Sequence, residues 1–310
     1  MTQKYALMFA GQGAQLVGMG KDLAEADAEI AGLYQQADAI LEMPLSRFSF
    51  EGPVEELTKT SVCQPALYVH GIACLHYLRR RAPNFHFSGV AGLSLGEFTA
   101  HCAAGTFDFE SGLRLVAARG RFMQEACEQS EGAMAAIIGA EENSVRDLAA
   151  AADVDVANLN SPGQVVISGE SSKVTLAVSL AKEYGARKAV ELTVAGAFHS
   201  RLMEPAYEAL SEELRHTILQ TPDVPVVCNV DAVRVDSPDE IRRSLAEQVT
   251  GSVRWVESVE YLLDHLHCTT LVELGPGGVL AGLVGRIRKG TPTLSAGNVA
   301  SLDELVAALN

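Results

Sequence analysis

In Val90-Ala91-Gly92-Leu93-Ser94-Leu95-Gly96 an apolar run breaks at a glycine, and a helical stretch begins near Leu95. A step from buried strand through tight turn to helix is the building unit of an α/β protein. The same step occurs upstream, where Tyr5 to Phe9 ends at Gly11-Gln12-Gly13 and an apolar stripe follows at Leu23, Ile30, Leu33, Ala37, Ile40 and Leu41. It occurs again downstream, where residues 269–274 run into Gly275-Pro276-Gly277-Gly278 ahead of another helical stretch. Gln64-Pro65 is expected to open a helix, with proline in its first turn. Together these steps predict a parallel sheet with helices packed outside it.

Between residues 132 and 194 the pattern changes. The apolar periods predict a strand at 133–138, a helix at 142–152, a strand at 154–159 and the turn Asn160-Ser161-Pro162-Gly163. A strand at 164–168, a helix at 171–184 and a strand at 188–194 complete the segment. That β-α-β-β-α-β order is the ferredoxin-like arrangement, an antiparallel sheet with both helices on one face. The expected organisation is a core built from residues 1–130 and 199–310, interrupted by an inserted subdomain at 131–198. A chain of 310 residues suits one main core with a small second unit.

The formal net charge of -15 opposes nucleic acid as a partner, since phosphate binding needs a broad surplus of Lys and Arg. Six cysteines lie scattered in apolar runs without the paired spacing of a metal site, so they are expected to be reduced core thiols of a cytoplasmic protein, with no metal. The apolar run after Met1 is too short for a signal sequence, and the most apolar helical stretch, residues 66–78, is too short to cross a membrane.

Ser94 between two glycines, at a strand-to-helix step, has the context of a nucleophile elbow. His199, in Gly196-Ala197-Phe198-His199-Ser200, sits where the insert hands back to a helix and is one candidate for its base. His70, His76 and His101 fall inside helical stretches, and His265 and His267 flank a polar one. Arg119 lies in the apolar stripe of the helix at 109–128, with Leu115, Phe122 and Ala126. A buried guanidinium needs an anion, which can be a core Asp or Glu or a substrate carboxylate. Gly11-Gln12-Gly13 is not a dinucleotide fingerprint, because Leu16 replaces the third glycine. It reads instead as a tight loop directed at Ser94.

Phe9-Ala10-Gly11-Gln12-Gly13-Ala14-Gln15, Gly92-Leu93-Ser94-Leu95-Gly96-Glu97, Ala118-Arg119-Gly120-Arg121-Phe122-Met123-Gln124, Asn158-Leu159-Asn160-Ser161-Pro162-Gly163-Gln164, Phe198-His199-Ser200 and Glu273-Leu274-Gly275-Pro276-Gly277 occur in this order over nearly the whole chain. The set resembles the malonyl-CoA:acyl carrier protein transacylases. The resemblance implies an α/β-hydrolase-like core interrupted by a ferredoxin-like subdomain. It implies transfer of malonyl from malonyl-CoA to acyl carrier protein for fatty-acid synthesis, through a malonyl ester on Ser94. His199 is then the base, Gln12 and Leu95 supply the oxyanion-hole N–H groups, and Arg119 clamps the malonyl carboxylate. A main-chain carbonyl near Arg254 orients His199, and Leu93, Asn160 and Phe198 line the substrate pocket. Position 93 is usually histidine in that family, and leucine stands here.

No cofactor beyond the coenzyme A thioester substrate is implied, and a monomer is expected. The competing functions are a serine thioesterase or esterase, a transacylase of polyketide synthesis, and a non-catalytic carrier-binding module. Acyl carrier proteins resemble one another in being acidic, so docking on this acidic chain calls for local positive charge. Arg187-Lys188 and the group Arg286, Arg288 and Lys289 are the candidate patches.

Overall fold

The computed structural model describes residues 3–309. Its larger sheet has the order β10-β9-β1-β2-β7-β8, from β1 (Tyr5–Phe9), β2 (Phe87–Gly92), β7 (Val226–Val227), β8 (Arg234–Val235), β9 (Thr270–Leu274) and β10 (Thr293–Ala296). All neighbours run parallel except β8, which pairs antiparallel with β7. Ala6, Leu7, Met8 and Phe9 are all buried, as expected of a parallel strand covered on both faces. Successive side chains alternate between two packing layers. Leu7 and Phe9 join the cluster holding Leu95 and Phe98, while Ala6 and Met8 join the one around Trp255 and Leu271. Because β1 and β2 are adjacent and parallel, the loops that leave their carboxyl ends open at the same edge, where ligands bind in open α/β sheets.

The smaller sheet runs β4-β5-β3-β6, from β3 (Gly132–Ile138), β4 (Asp155–Ser161), β5 (Gln164–Glu170) and β6 (Lys188–Glu191), all antiparallel. Helices Glu142–Ala152 and Ser171–Leu180 pack with it, and alternation divides its faces. Ala135, Ile137, Val165 and Ile167 pack with Val145, Leu148 and Val174 of those helices. Met134 and Val166, one residue out of step, point the other way and join the main core. A parallel bridge between Asn158 and Val253 ties the smaller sheet to the core, with Val253 N donating to Ala157 O at 2.8 Å. Arg201 adds ion pairs to Asp153 and Asp155.

Several expectations shift. The strand expected at 188–194 ends at Glu191, because the chain then leaves the sheet and Leu192 to Ala195 line the cleft. The strand Val226–Val227 is only two residues long, since Cys228 N turns back to Val233 O. The helix expected at Gln64-Pro65 begins at Thr60, placing Pro65 inside it. The single stripe after Gly13 is two helices, Lys21–Ala26 and Ala28–Leu41, divided at Asp27, which caps the second by accepting Glu29 N–H.

Candidate active site

Ser94 caps the helix Leu95–Ala103 with φ 52° and ψ -110°, a region L-residues seldom occupy. The turn closes because both flanking positions lack a side chain. A Cβ on Gly92 would lie 1.9 Å from the Gly96 carbonyl, and one on Gly96 would lie 2.1 Å from Phe9 O. The strain therefore lifts the serine out of the strand-helix step and into a cleft of about 530 Å³.

His199 also has positive φ, 54°, and its Nε2 lies 2.8 Å from Ser94 Oγ. Its Nδ1 faces two carbonyls, Gln248 O at 2.8 Å and Gly251 O at 3.2 Å. Carbonyl oxygens only accept, so Nδ1 carries the proton and Nε2 presents its lone pair to the serine hydroxyl. Burial, then the charge of Arg119, lowers the imidazole pKa to about 4, so the ring is neutral and able to accept a proton at neutral pH.

The carbonyl assignment made from sequence needs correction. Arg254 does not hold His199: its carbonyl accepts Ser258 N and Oγ, both at 2.9 Å, as the start of the helix Trp255–Glu260. Gln248 and Gly251 hold the histidine instead, because the chain leaving the helix Pro238–Glu247 turns its carbonyls inward before it reaches Arg254.

Arg119 projects from the helix Phe109–Glu128, which is started by Asp108 accepting Ser111 N–H at 2.7 Å. The guanidinium is 1% exposed, and all its hydrogen bonds go to neutral oxygens. These are Gln64 Oε1 at 2.6 Å, Gln248 Oε1 at 2.7 Å and Ser94 Oγ at 3.0 Å, while its Nε is buried without a partner. Burial lowers its pKa to about 10, and the charge of Glu97 acts in the opposite sense. The ring of Phe98 lies beneath it.

The cleft is lined by Gln12, Leu93, Ser94, Arg119, Asn160, Phe198 and His199, so the structure brings together seven residues singled out from sequence. Leu95 is buried beside them, and its N–H belongs to the first turn of a helix, where donors lack intrahelical partners. Sequence reasoning did not single out Gln64, Glu97, Asn229 and Gln248 as site residues, yet each bonds a reacting group or its neighbour. Among the other histidines, His70 and His101 are buried away from the cleft, and His265 and His267 are exposed. Among the described residues no cluster of His, Cys, Asp and Glu could hold a metal ion, the six cysteines are unpaired, and no helix is long and apolar enough to cross a membrane.

The arrangement is that of a serine hydroxyl poised against a neutral imidazole, with a buried cation at its side. Residues 6–286 match the family described as acyl transferase domain. The chain is 41% identical over 313 residues to the malonyl CoA-acyl carrier protein transacylase of Bacillus subtilis (strain 168), spanning 99% of this chain and 97% of that protein. It superposes on the acyl-carrier-protein-S-malonyltransferase of Bartonella henselae with a TM-score of 0.94 at 38% identity, covering 99% of each. A malonyl-transacylase solved in complex with its type II PKS acyl-carrier protein gives 0.92 at 37% identity, over 99% of this chain and 100% of that one.

Proposed function

The chain belongs to the acyl transferase domain family, and from that premise we propose that it transfers malonyl from malonyl-CoA to the phosphopantetheine thiol of acyl carrier protein, supplying fatty-acid synthesis. One observation carries the choice of acyl group. A buried guanidinium, bonded only to neutral oxygens, stands 3.0 Å from the serine that would carry the acyl chain. No anion is hydrogen-bonded to this cation, and a malonyl thioester brings one. Acetyl-CoA would leave it unmatched, which is the basis for rejecting that substrate.

In the first half-reaction Ser94 Oγ attacks the thioester carbon while His199 Nε2 takes its proton. The carbonyl oxygen becomes an oxyanion held by the backbone N–H groups of Gln12 and Leu95. Collapse breaks the C–S bond, and the imidazolium returns the proton to the departing thiolate. In the second half His199 takes the proton of the phosphopantetheine thiol, whose sulfur attacks the malonyl ester carbon; collapse breaks the C–O bond to Ser94, and the imidazolium returns the proton to Ser94 Oγ. The main-chain carbonyls of Gln248 and Gly251 keep the imidazole in the needed tautomer, a task that a carboxylate performs in other serine enzymes. Asn160, whose Oδ1 is buried without a partner, offers an acceptor to an amide N–H of the pantetheine arm, and Leu93 and Phe198 supply apolar wall. The scheme needs no metal or redox cofactor. It assigns the chain to the cytoplasm and treats it as a monomer.

The test separates transfer from hydrolysis. With malonyl-CoA alone, turnover is expected to stop at the acyl-enzyme, and adding holo-acyl carrier protein releases stoichiometric malonyl-carrier. Steady release of free malonate without the carrier would identify a thioesterase instead. A preference for a polyketide carrier over a fatty-acid carrier would move the pathway and leave the chemistry intact.

A further inference from the structure

Glu97 lies one helical turn after Ser94, is wholly buried and does not line the cleft. Its Oε2 accepts from Gln248 Nε2 at 2.7 Å and from Asn229 N at 3.0 Å, while Oε1 is buried without a partner. Both partners turn back onto the reacting groups. Asn229 Oδ1 accepts Ser94 N–H at 2.7 Å, and its Nδ2 donates to Gly92 O at 2.8 Å. Gln248 Nε2 also donates to Ser94 O at 2.9 Å, and Gln248 Oε1 accepts from Arg119 Nη2 at 2.7 Å.

A primary amide has one donating end and one accepting end. Oε2 of Glu97 only accepts, whether the carboxyl is ionised or carries its proton on Oε1. It therefore requires the nitrogen of Gln248, and this turns the Gln248 oxygen toward Arg119. With the amide reversed, oxygen would face oxygen at Glu97 and N–H would face N–H at Arg119. Burial raises the Glu97 pKa to about 8, with the hydrogen bonds from Gln248 and Asn229 and the charge of Arg119 opposing it, so the group is held there against its own solvation.

We infer that Glu97 is a positioning residue for malonyl selectivity: it fixes the sense of the Gln248 amide, and that amide holds the Arg119 guanidinium at the angle from which it meets a substrate carboxylate. This rests on the malonyl-transfer reading of the site. The elbow keeps two hydrogen bonds that Glu97 does not itself make, since the Asn229 side chain holds Ser94 N and Gly92 O. Loss of Glu97 should therefore fall on the acyl preference more than on the nucleophile.

The experiment measures kcat and KM for acylation of Ser94 by malonyl-CoA and by acetyl-CoA. Glu97→Met removes the acceptor at similar size. It is expected to lower the malonyl-to-acetyl ratio of kcat/KM by about tenfold or more, the scale of a lost hydrogen bond to a charged group, mainly through KM for malonyl-CoA. Glu97→Gln, which can present an oxygen to the same donors, is expected to stay near wild type. Made in an Arg119→Ala background, Glu97→Met should change the ratio no further, since the two act on one interaction. Should Glu97→Met fail to fold, Gln248→Met gives the same readout while keeping the backbone carbonyl that holds His199. An unchanged ratio in Glu97→Met or Gln248→Met, or a further loss in the Arg119→Ala background, would overturn the inference. The same series isolates the underlying reading, which fails if wild type takes up acetyl as readily as malonyl.

Discussion

Below the cleft the core buries Glu97, Arg119, His199, Asn229 and Gln248, each 4% exposed or less, whereas the inserted sheet packs its own helices through alanine, valine, leucine and isoleucine. The insert reaches the cleft as wall, through Met134, Asn158, Asn160, Val166 and Leu192. Burying polar groups requires neighbours fixed to meet most of their hydrogen-bonding atoms. The core provides that through two adjacent parallel strands, a strained turn and a long helix, all carrying residues of one hydrogen-bonded network. The insert needs only to close a shape, and a sheet with an apolar core does so without placing any charge. Chemistry and enclosure are thus assigned to different regions, and substitutions in the two should differ in kind.

The largest effect is expected in the core at His199. His199→Ala should slow malonyl-CoA acylation of Ser94 on the order of 10²–10⁴-fold while still binding the substrate; near-normal acylation would place the base elsewhere. Next is Arg119→Ala, which should weaken malonyl transfer by ~2–5 kcal/mol, the usual cost of removing one partner of a desolvated charge pair, and relieve the penalty against acetyl-CoA. If malonyl and acetyl transfer fell together, Arg119 would serve packing alone.

Smaller effects belong to the rim. Arg288 is paired with Asp264, so its charge is compensated, whereas Arg286 is exposed and reaches Gln164 of the insert at 2.6 Å, beside the cleft. Reversing Arg286 and Lys289 to glutamate should raise KM for acyl carrier protein, less so at high salt, and leave acylation by malonyl-CoA unchanged. An unchanged carrier KM would shift attention to Arg187-Lys188, both exposed. The least effect is expected at the seam, where Arg201→Ala breaks exposed ion pairs to Asp153 and Asp155. A slight loss of thermal stability with intact acylation would fit the division. A large loss of acylation would show that the insert's placement controls the chemistry.

The elbow and the insert, which are written locally, were legible in the sequence. The elbow combines an apolar run, two close glycines and a helix start within seven residues, and the insert's order follows from periods of two and 3.6. Arg119 stood out because a charge interrupts an apolar stripe. The supporting network was not legible, because its members meet from far along the chain: Gln64 reaches Arg119 across 55 positions, Gln248 across 129, and Asn229 reaches Ser94 across 135. The carbonyl that orients His199 was placed at Arg254 and lies at Gln248 and Gly251 for a related reason. Every residue has a carbonyl, so side-chain identity carries no signal for it. Two-residue strands such as Val226–Val227 and Arg234–Val235 are too short to show any period.

The most direct test of the account is the intact mass of the enzyme after mixing with malonyl-CoA in the absence of carrier. Wild type should gain the mass of one malonyl group and lose it when holo-acyl carrier protein is added, with the label mapping to the peptide that contains Ser94. Ser94→Ala should gain nothing. A malonyl adduct of equal yield on Ser94→Ala, or no adduct on wild type while malonyl-carrier still forms, would contradict a serine-bound intermediate.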